Sequence, residues 1–166
     1  MRSKWLLVPI ACLLALPPAA GACSSENDCT LLQCIDDVNV YLHVELSADA
    51  MRTSTIKACR NDVCSIGQAT SLPTFAGDRQ KVFLTGDLTA DTTLDTTAPG
   101  TSYTIDVTIP IDGATLEAGA DRYEIHVLDP IGADVSHISD VATYEESHPN
   151  GADCPTTCTT AIIGTP

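Results

Sequence analysis

Positively charged residues are scarce in this sequence of 166 residues, which has 8 Lys+Arg against 22 Asp+Glu and a formal net charge of −14. Proteins that bind nucleic acids or anionic lipid surfaces use clusters of Lys and Arg, and the sequence contains no such cluster. Aromatic residues make up only 4% of the chain, so the core is expected to be aliphatic. The composition therefore predicts no nucleic-acid partner.

The sequence also lacks the short motifs that carry common chemistry. It contains no G-x-S-x-G, no H-E-x-x-H, no phosphate-binding loop with its Gly-Lys pair and no G-x-G-x-x-G. Nothing singles out a pair of its many carboxylates for acid–base catalysis. We therefore predict that the protein is not an enzyme and uses no cofactor.

Long hydrophobic runs are missing as well, and the longest one lies at the amino terminus. Arg2 and Lys4 precede an apolar run over residues 5–16, which is shorter than the roughly 20 residues that span a bilayer. Pro17 and Pro18 end the run, and small residues follow. This order predicts a secretory signal peptide over residues 1–22. Its removal takes away two cations and changes the net charge from −14 to −16.

The first residue after the predicted cut is a cysteine. The segment Ala20-Gly21-Ala22-Cys23 resembles the bacterial lipobox, whose cysteine thiol receives a diacylglyceryl group, although Ala20 stands where Leu is usual. The resemblance implies lipidation of Cys23. Ser24 in place of Asp resembles the pattern of lipoproteins sorted to the outer membrane. A plain signal-peptidase site, giving a secreted protein, is the alternative.

The number of cysteines favours lipidation. Of eight cysteines, Cys12 lies in the signal peptide, which leaves an odd number in an oxidising compartment where a spare thiol is a liability. If Cys23 carries lipid, an even set remains, enough for three disulfides: Cys29, Cys34, Cys59, Cys64, Cys154 and Cys158. We therefore predict a lipid anchor and short tether over residues 23–30 and a single domain over residues 31–166.

The body of the chain has the period of β-strands. Apolar residues alternate with polar ones over residues 38–46 and again over residues 103–111, so each segment has one apolar face. Pro110 in the second segment predicts an edge strand or a bulge. Weaker strands are predicted at 53–60, 63–68, 81–85, 122–127, 135–144 and 157–163. The Thr- and Asp-rich stretch 85–104 is predicted to form long loops around a strand, with a disordered linker as the alternative.

These segments predict an all-β protein of about 7–8 strands and no amphipathic helix. Alternation with one polar face is typical of antiparallel sheets. Two such sheets packed face to face form a sandwich, immunoglobulin-like or transthyretin-like in architecture, held together by disulfides.

The cysteines occur in close pairs. A two-residue turn at Asn61-Asp62 would place Arg60 opposite Val63 and Cys59 opposite Cys64, close enough for a disulfide. The two terminal pairs are then expected to bond to each other, and local pairing at each end is the alternative. The spacings are wider than those of zinc-binding cysteines, so no zinc cluster is predicted.

Two groups of residues are candidates for a metal site. If the hairpin after residue 122 centres between Ile131 and Gly132, His126 and His137 face each other and could bind a divalent metal, with Glu124 or Ser139 nearby; a one-residue slip would separate them. The acids Asp87, Asp91 and Asp95 recur every four residues and could supply oxygen ligands for calcium, although the EF-hand order is absent. An ordinary solvated surface is the simpler interpretation of both groups.

The end of the chain carries a resemblance. The matching residues run over 144–158, from Tyr144-Glu145 through His148-Pro149-Asn150-Gly151 to Cys154 and Cys158. This segment resembles the Y-E-x-S-x-P-N-G-x-x-C-x-x-x-C ending of uncharacterised bacterial secreted or lipoprotein β-sandwich domains. The C-x₄-C pair Cys29 and Cys34 is similar to a pair that these domains have near the amino terminus. The resemblance covers the two ends of the chain and implies a small β-sandwich. Proline, asparagine and glycine also explain this segment as a turn.

Together these features predict a non-catalytic lipoprotein of the cell envelope. It would be held at the bacterial outer membrane by its lipid and act as a structural or interaction module for an envelope protein partner. The alternative is a soluble secreted ligand-binding module that depends on calcium.

Overall fold

A computed structural model describes residues 35–111, 116–117, 119–150, 154 and 156–166. The described chain is built almost entirely of strands, with one short helix. In chain order the elements are β1 (Asp37–Glu45), α1 (Ala48–Thr53), β2 (Thr55–Arg60), β3 (Val63–Gly67), β4 (Gln80–Val82), β5 (Thr85–Gly86), β6 (Asp91–Ala98), β7 (Ser102–Pro110), β8 (Arg122–Leu128), β9 (Asp134–Val141), β10 (Glu145–Ser147) and β11 (Cys158–Ile163).

The strands form two sheets. The first has six strands in the order β10-β11-β1-β7-β6-β4, and the second has five in the order β5-β3-β2-β8-β9. Neighbouring strands are antiparallel except β1 and β11, which run parallel, with Val38 opposite Ala161. The predicted all-β, two-sheet architecture is therefore confirmed, with eleven described strands instead of seven or eight and with one parallel pair that the sequence pattern did not indicate.

The two most regular strands are the ones that the sequence predicted most clearly. β1 and β7 pair along their full lengths, with Val40 opposite Val107 and Leu42 opposite Ile105. These side chains are buried, while their neighbours in the chain point outward. β-branched and aliphatic residues fit such a half-buried pleated surface well, so the pair forms the centre of the first sheet.

Pro110 does not mark an edge strand or a bulge, and this prediction was wrong. β7 lies between β1 and β6, and Pro110 is its last residue. The next residue donates its backbone N–H to the carbonyl of Asp36, beside β1. Because successive residues of a strand face alternate neighbours, the Pro110 nitrogen faces the other side, where the β6 ladder has already ended at the pair Asp91–Thr108. The missing N–H therefore costs no ladder hydrogen bond.

The helix α1 was also not predicted. It begins after Ser47, whose hydroxyl accepts a hydrogen bond from the backbone N–H of Ala50 at 3.2 Å. It buries Met51 against the core. With six residues it is too short to show helical periodicity, and the described part of the chain has no helix with the length and apolar character that crossing a bilayer requires.

One apolar core joins the inner faces of the two sheets. It includes Val38 and Ile105 of the first sheet together with Ile56 and Ile125 of the second, all fully buried. The core is mainly aliphatic, as the composition predicted, and two tyrosines of opposite sheets, Tyr103 and Tyr123, are also buried in it. The predicted signal peptide (1–22) and the anchor and tether (23–30) lie outside the described residues.

Candidate functional site

The predicted hairpin disulfide is present. β2 pairs with β3 so that Arg60 is opposite Val63 and Cys59 is opposite Cys64. The two cysteines are bonded, with their Cα atoms 4.1 Å apart. Asn61 makes the turn possible by adopting a left-handed backbone conformation, with φ of 52°, which asparagine tolerates better than most residues.

The cysteines at the carboxyl end are also oxidised. Cys154 and Cys158 are both disulfide-bonded and both buried. Their predicted partners, Cys29 and Cys34, lie outside the described residues, as does the predicted lipidation site Cys23. The crosslink between the two ends of the chain therefore stays a prediction.

A buried carboxylate, Asp121, lies where several segments of the chain meet, and the sequence did not single it out. Only 4% of Asp121 is exposed. Its Oδ2 atom accepts hydrogen bonds from the Tyr144 hydroxyl at 2.7 Å, from Arg60 Nη2 at 3.0 Å and from the backbone N–H of Glu117 at 3.1 Å. Its Oδ1 atom accepts one from Asn61 Nδ2 at 3.2 Å. We call these five residues the Asp121 network.

These hydrogen bonds fix the ionisation state of Asp121. Burial by itself raises the pKa of a carboxyl group, but the donors, first Tyr144 and then the Glu117 backbone, Asn61 and Arg60, outweigh it and lower the pKa of Asp121 to about 2. A carboxylate with such a low pKa is a poor general base near neutral pH. The Asp121 network is therefore suited to holding the loop before β8 against the β2–β3 hairpin.

A cavity of about 560 Å³ opens beside the Asp121 network. Its described lining includes Ile109 and Leu88 on the apolar side and Arg60, Asp87 and Asp121 on the charged side. The volume is within the range of small-molecule pockets. Because the Arg60 guanidinium is already paired with Asp121, the cavity offers little to an anion.

The histidine pair, His126 and His137, forms as predicted. The two residues are directly opposite each other in β8 and β9, on the outer face of the second sheet. Their rings stack with centroids 5.6 Å apart and planes 18° apart. The register is the one expected for a hairpin centred between Ile131 and Gly132, and it shifts by one residue only between Val127 and Leu128.

Carboxylates surround the histidine pair. Asp134 Oδ2 lies 2.7 Å from His126 Nδ1 and 3.5 Å from His137 Nδ1, and Glu124 Oε2 lies 3.2 Å from His126 Nε2. Ser139 donates a hydrogen bond to Glu124 Oε1 at 2.9 Å. Partial burial lowers the pKa of His126, but Asp134 and then Glu124 outweigh this effect, so the pKa of His126 is raised. The sequence pointed to Glu124 and Ser139 but not to Asp134.

The three acids proposed for calcium are not brought into one cluster. Asp91 and Asp95 are four residues apart on the same face of β6, so their Cα atoms are about 13 Å apart at the usual rise of a strand. Asp91 pairs with Lys81 at 2.6 Å and Asp95 with Arg79 at 3.4 Å. Asp87 precedes β6 and lines the cavity instead. Across the described residues, no three His, Cys, Asp or Glu side chains are already arranged as a metal-ligand set.

Comparisons of the chain with protein-family models, with curated proteins and with solved structures found no match.

Proposed function

We propose that this chain is an exported, non-catalytic lipoprotein of the bacterial cell envelope, anchored through Cys23 at the outer membrane, whose β-sandwich acts as a structural or protein-interaction module. The observation that carries the proposal is the state of the cysteines. Four of the six that remain after Cys23 are disulfide-bonded: Cys59, Cys64, Cys154 and Cys158. Such bonds persist in exported proteins. In the predicted crosslink Cys29 and Cys34 take up the other two positions, and Cys23 is then the cysteine that this pairing leaves for a lipid.

The buried charges support a non-catalytic role. Among the described residues, Asp121 is the one carboxylate whose residue is buried, and the groups that donate hydrogen bonds to it keep it ionised at neutral pH. It therefore stabilises the fold and is not poised to exchange protons. The resemblance of residues 144–158 to secreted lipoprotein domains is a second, independent support for the envelope location.

Intact mass of the protein purified in detergent from its native host tests the anchor. We expect cleavage before Cys23, an added diacylglyceryl mass, and a mass deficit of six hydrogens for three disulfides. The wild type should enter the detergent phase on phase partition, and the Cys23→Ser variant should stay in the aqueous phase. An unmodified amino terminus together with a titratable thiol would overturn the proposal.

The cavity beside Asp121 supports a second candidate, a soluble secreted ligand-binding module. Its volume of about 560 Å³ suits a small molecule. In this candidate, ligand binding depends on calcium. Thermal unfolding with calcium and with a chelator tests that dependence, because a ligand that binds only the folded state raises the midpoint. Equal unfolding midpoints with calcium and with the chelator would contradict a dependence on calcium.

A further inference from the structure

We propose that His126, His137 and Asp134 form a binding site for a divalent transition-metal ion, such as zinc, on the outer face of the β8–β9 hairpin. This inference is independent of the lipid anchor and of the cavity. It rests on the register that brings the three side chains together.

The first argument is that acceptor atoms face each other. Both ring nitrogens of His126 lie within hydrogen-bond distance of a carboxylate oxygen, Nδ1 against Asp134 and Nε2 against Glu124. A neutral imidazole carries one N–H and one lone pair, so in the neutral form one of these contacts would place a lone pair against an anion. A positive charge in that contact removes the repulsion. The second proton of an imidazolium ion supplies that charge, and a metal ion bound between the ring nitrogen and the carboxylate oxygen supplies it equally.

The second argument is the spacing of the donor atoms. In a tetrahedral site with bonds of about 2.0–2.1 Å, neighbouring ligand atoms are about 3.3 Å apart. Asp134 Oδ2 is 2.7 Å from His126 Nδ1 and 3.5 Å from His137 Nδ1. The set is not yet in coordination geometry, because the rings are stacked. The His137 side chain is 58% exposed and Asp134 is 35% exposed, so burial does not prevent either side chain from rotating toward a shared ion, and the metal would replace their present contacts.

The third argument is the group behind His126. A histidine that binds a metal usually donates its other N–H to a carboxylate, which fixes the ring and its tautomer. Glu124 is in that position, 3.2 Å from His126 Nε2. Ser139 donates to Glu124 at 2.9 Å, and Arg122 donates to Ser139 at 3.1 Å. This chain of contacts leaves His126 Nδ1 as the atom directed at Asp134 and the metal.

The donor set decides the class of ion. Two imidazole nitrogens with one carboxylate suit zinc, copper or nickel, whereas calcium prefers six to eight oxygen ligands. The charged groups facing the site from the three paired strands are Lys57 of β2, Arg122 and Glu124 of β8, and Asp134 of β9. Lys57 is opposite His126 and opposes a bound cation, so the Lys57→Gln variant should bind zinc more tightly than the wild type.

Zinc titration of the full chain by calorimetry tests the proposal, at a pH well above the ordinary histidine pKa of about 6.5, because neighbouring carboxylates raise the pKa of His126. We expect one bound zinc ion per chain and an affinity that falls as the pH is lowered, because protons compete for the imidazoles. The His126→Gln and His137→Gln variants should bind at least about tenfold more weakly, and Glu124→Gln should also lose about tenfold.

The matched control is His148→Gln, which removes an exposed histidine outside the site and should leave the zinc affinity unchanged. The two histidines of the site point away from the core, and far-UV circular dichroism should show that each variant is folded. Equal zinc affinity for the wild type and the double variant His126→Gln/His137→Gln would overturn the proposal, as would the absence of zinc binding by the wild type.

Discussion

Tyr144 donates its hydroxyl hydrogen to Asp121 Oδ2 across 2.7 Å, and in doing so it links the segment before β10 to the residue before β8. Because the Tyr144 hydrogen is used in this bond, Tyr123 must be the donor and Tyr144 the acceptor in the hydrogen bond of 3.0 Å between the two hydroxyl groups. The Arg60 guanidinium lies over the Tyr123 ring, with Arg60 Cζ 5.8 Å from the ring centroid. A chain of hydrogen-bonded polar groups thus ends at one ionised carboxylate at the edge of the apolar core.

The Tyr144→Phe variant should therefore be destabilised. It removes a hydrogen bond to a charged group and leaves the Tyr123 hydroxyl without its acceptor, and such bonds contribute about 1.5–3 kcal/mol. Urea unfolding monitored by circular dichroism measures the loss. The control Tyr41→Phe changes a tyrosine on the outer face of β1 and should change the free energy of unfolding by less than about 0.5 kcal/mol. Equal effects of the two variants would show that the Asp121 network contributes nothing specific.

Asp121 should make the fold sensitive to acid. Its pKa is about 2 in the folded protein against an ordinary value of 3.8. Because the folded-state pKa is the lower one, the stabilisation is complete above pH 3.8 and is lost as the pH falls through 2. The difference between the two pKa values corresponds to about 2 kcal/mol of folding stability. In unfolding curves at a series of pH values, Asp121→Asn should be less stable at neutral pH and should lose less stability in this window. A parallel loss in both proteins would contradict the assignment.

Gly164 should not tolerate a side chain. Its φ is +81°, and a Cβ atom added there would lie 2.3 Å from the carbonyl oxygen of Tyr41 in β1. β1 is paired on both sides and cannot move away, so Gly164→Ala should cost about 2–4 kcal/mol through strain and overpacking. Gly100 is the matched control, because its φ is also positive, +85°, but no atom lies within 4 Å of an added Cβ. Gly100→Ala should cost only the backbone strain, about 1–2 kcal/mol. Chemical denaturation of both variants checks the difference.

Peptide mapping without reduction should find the two ends of the chain joined. The expected linkage places Cys29 and Cys34 on the peptides that carry Cys154 and Cys158. In the entropy model a loop of more than 100 residues contributes about 4–5 kcal/mol, against about 2 kcal/mol for the short hairpin loop. Replacing both Cys154 and Cys158 by Ala should therefore lower the unfolding midpoint more than replacing both hairpin cysteines. Local linkages within each pair would contradict this connectivity.

Local patterns were sufficient to predict the parts of the fold that depend on residues close in sequence. The strands β1 and β7 were evident because their buried residues are all apolar. The Cys59–Cys64 hairpin and the facing of His126 and His137 followed from turn position and loop length, since register is set by both.

The strand β6 was only vaguely predicted, because two of its three inward residues are Thr92 and Thr96. Buried threonines make the segment look polar throughout, and its alternation is visible only once the sheet is known. The Asp121 network was missed for another reason. Arg60 and Asp121 are 61 positions apart, and no short-range pattern distinguishes Asp121 from the other acids. Asp134 was missed because the register shift at Leu128 moves it toward the histidines.

The parallel pairing of β1 with β11 has a consequence for biogenesis. The position beside β1 in the six-stranded sheet is filled by residues 158–163, more than 100 residues downstream of β1. During synthesis, one edge of β1 therefore stays unpaired until residues 158–163 have been made. Contacts between such distant segments form slowly, so we expect the first sheet to be completed late in folding.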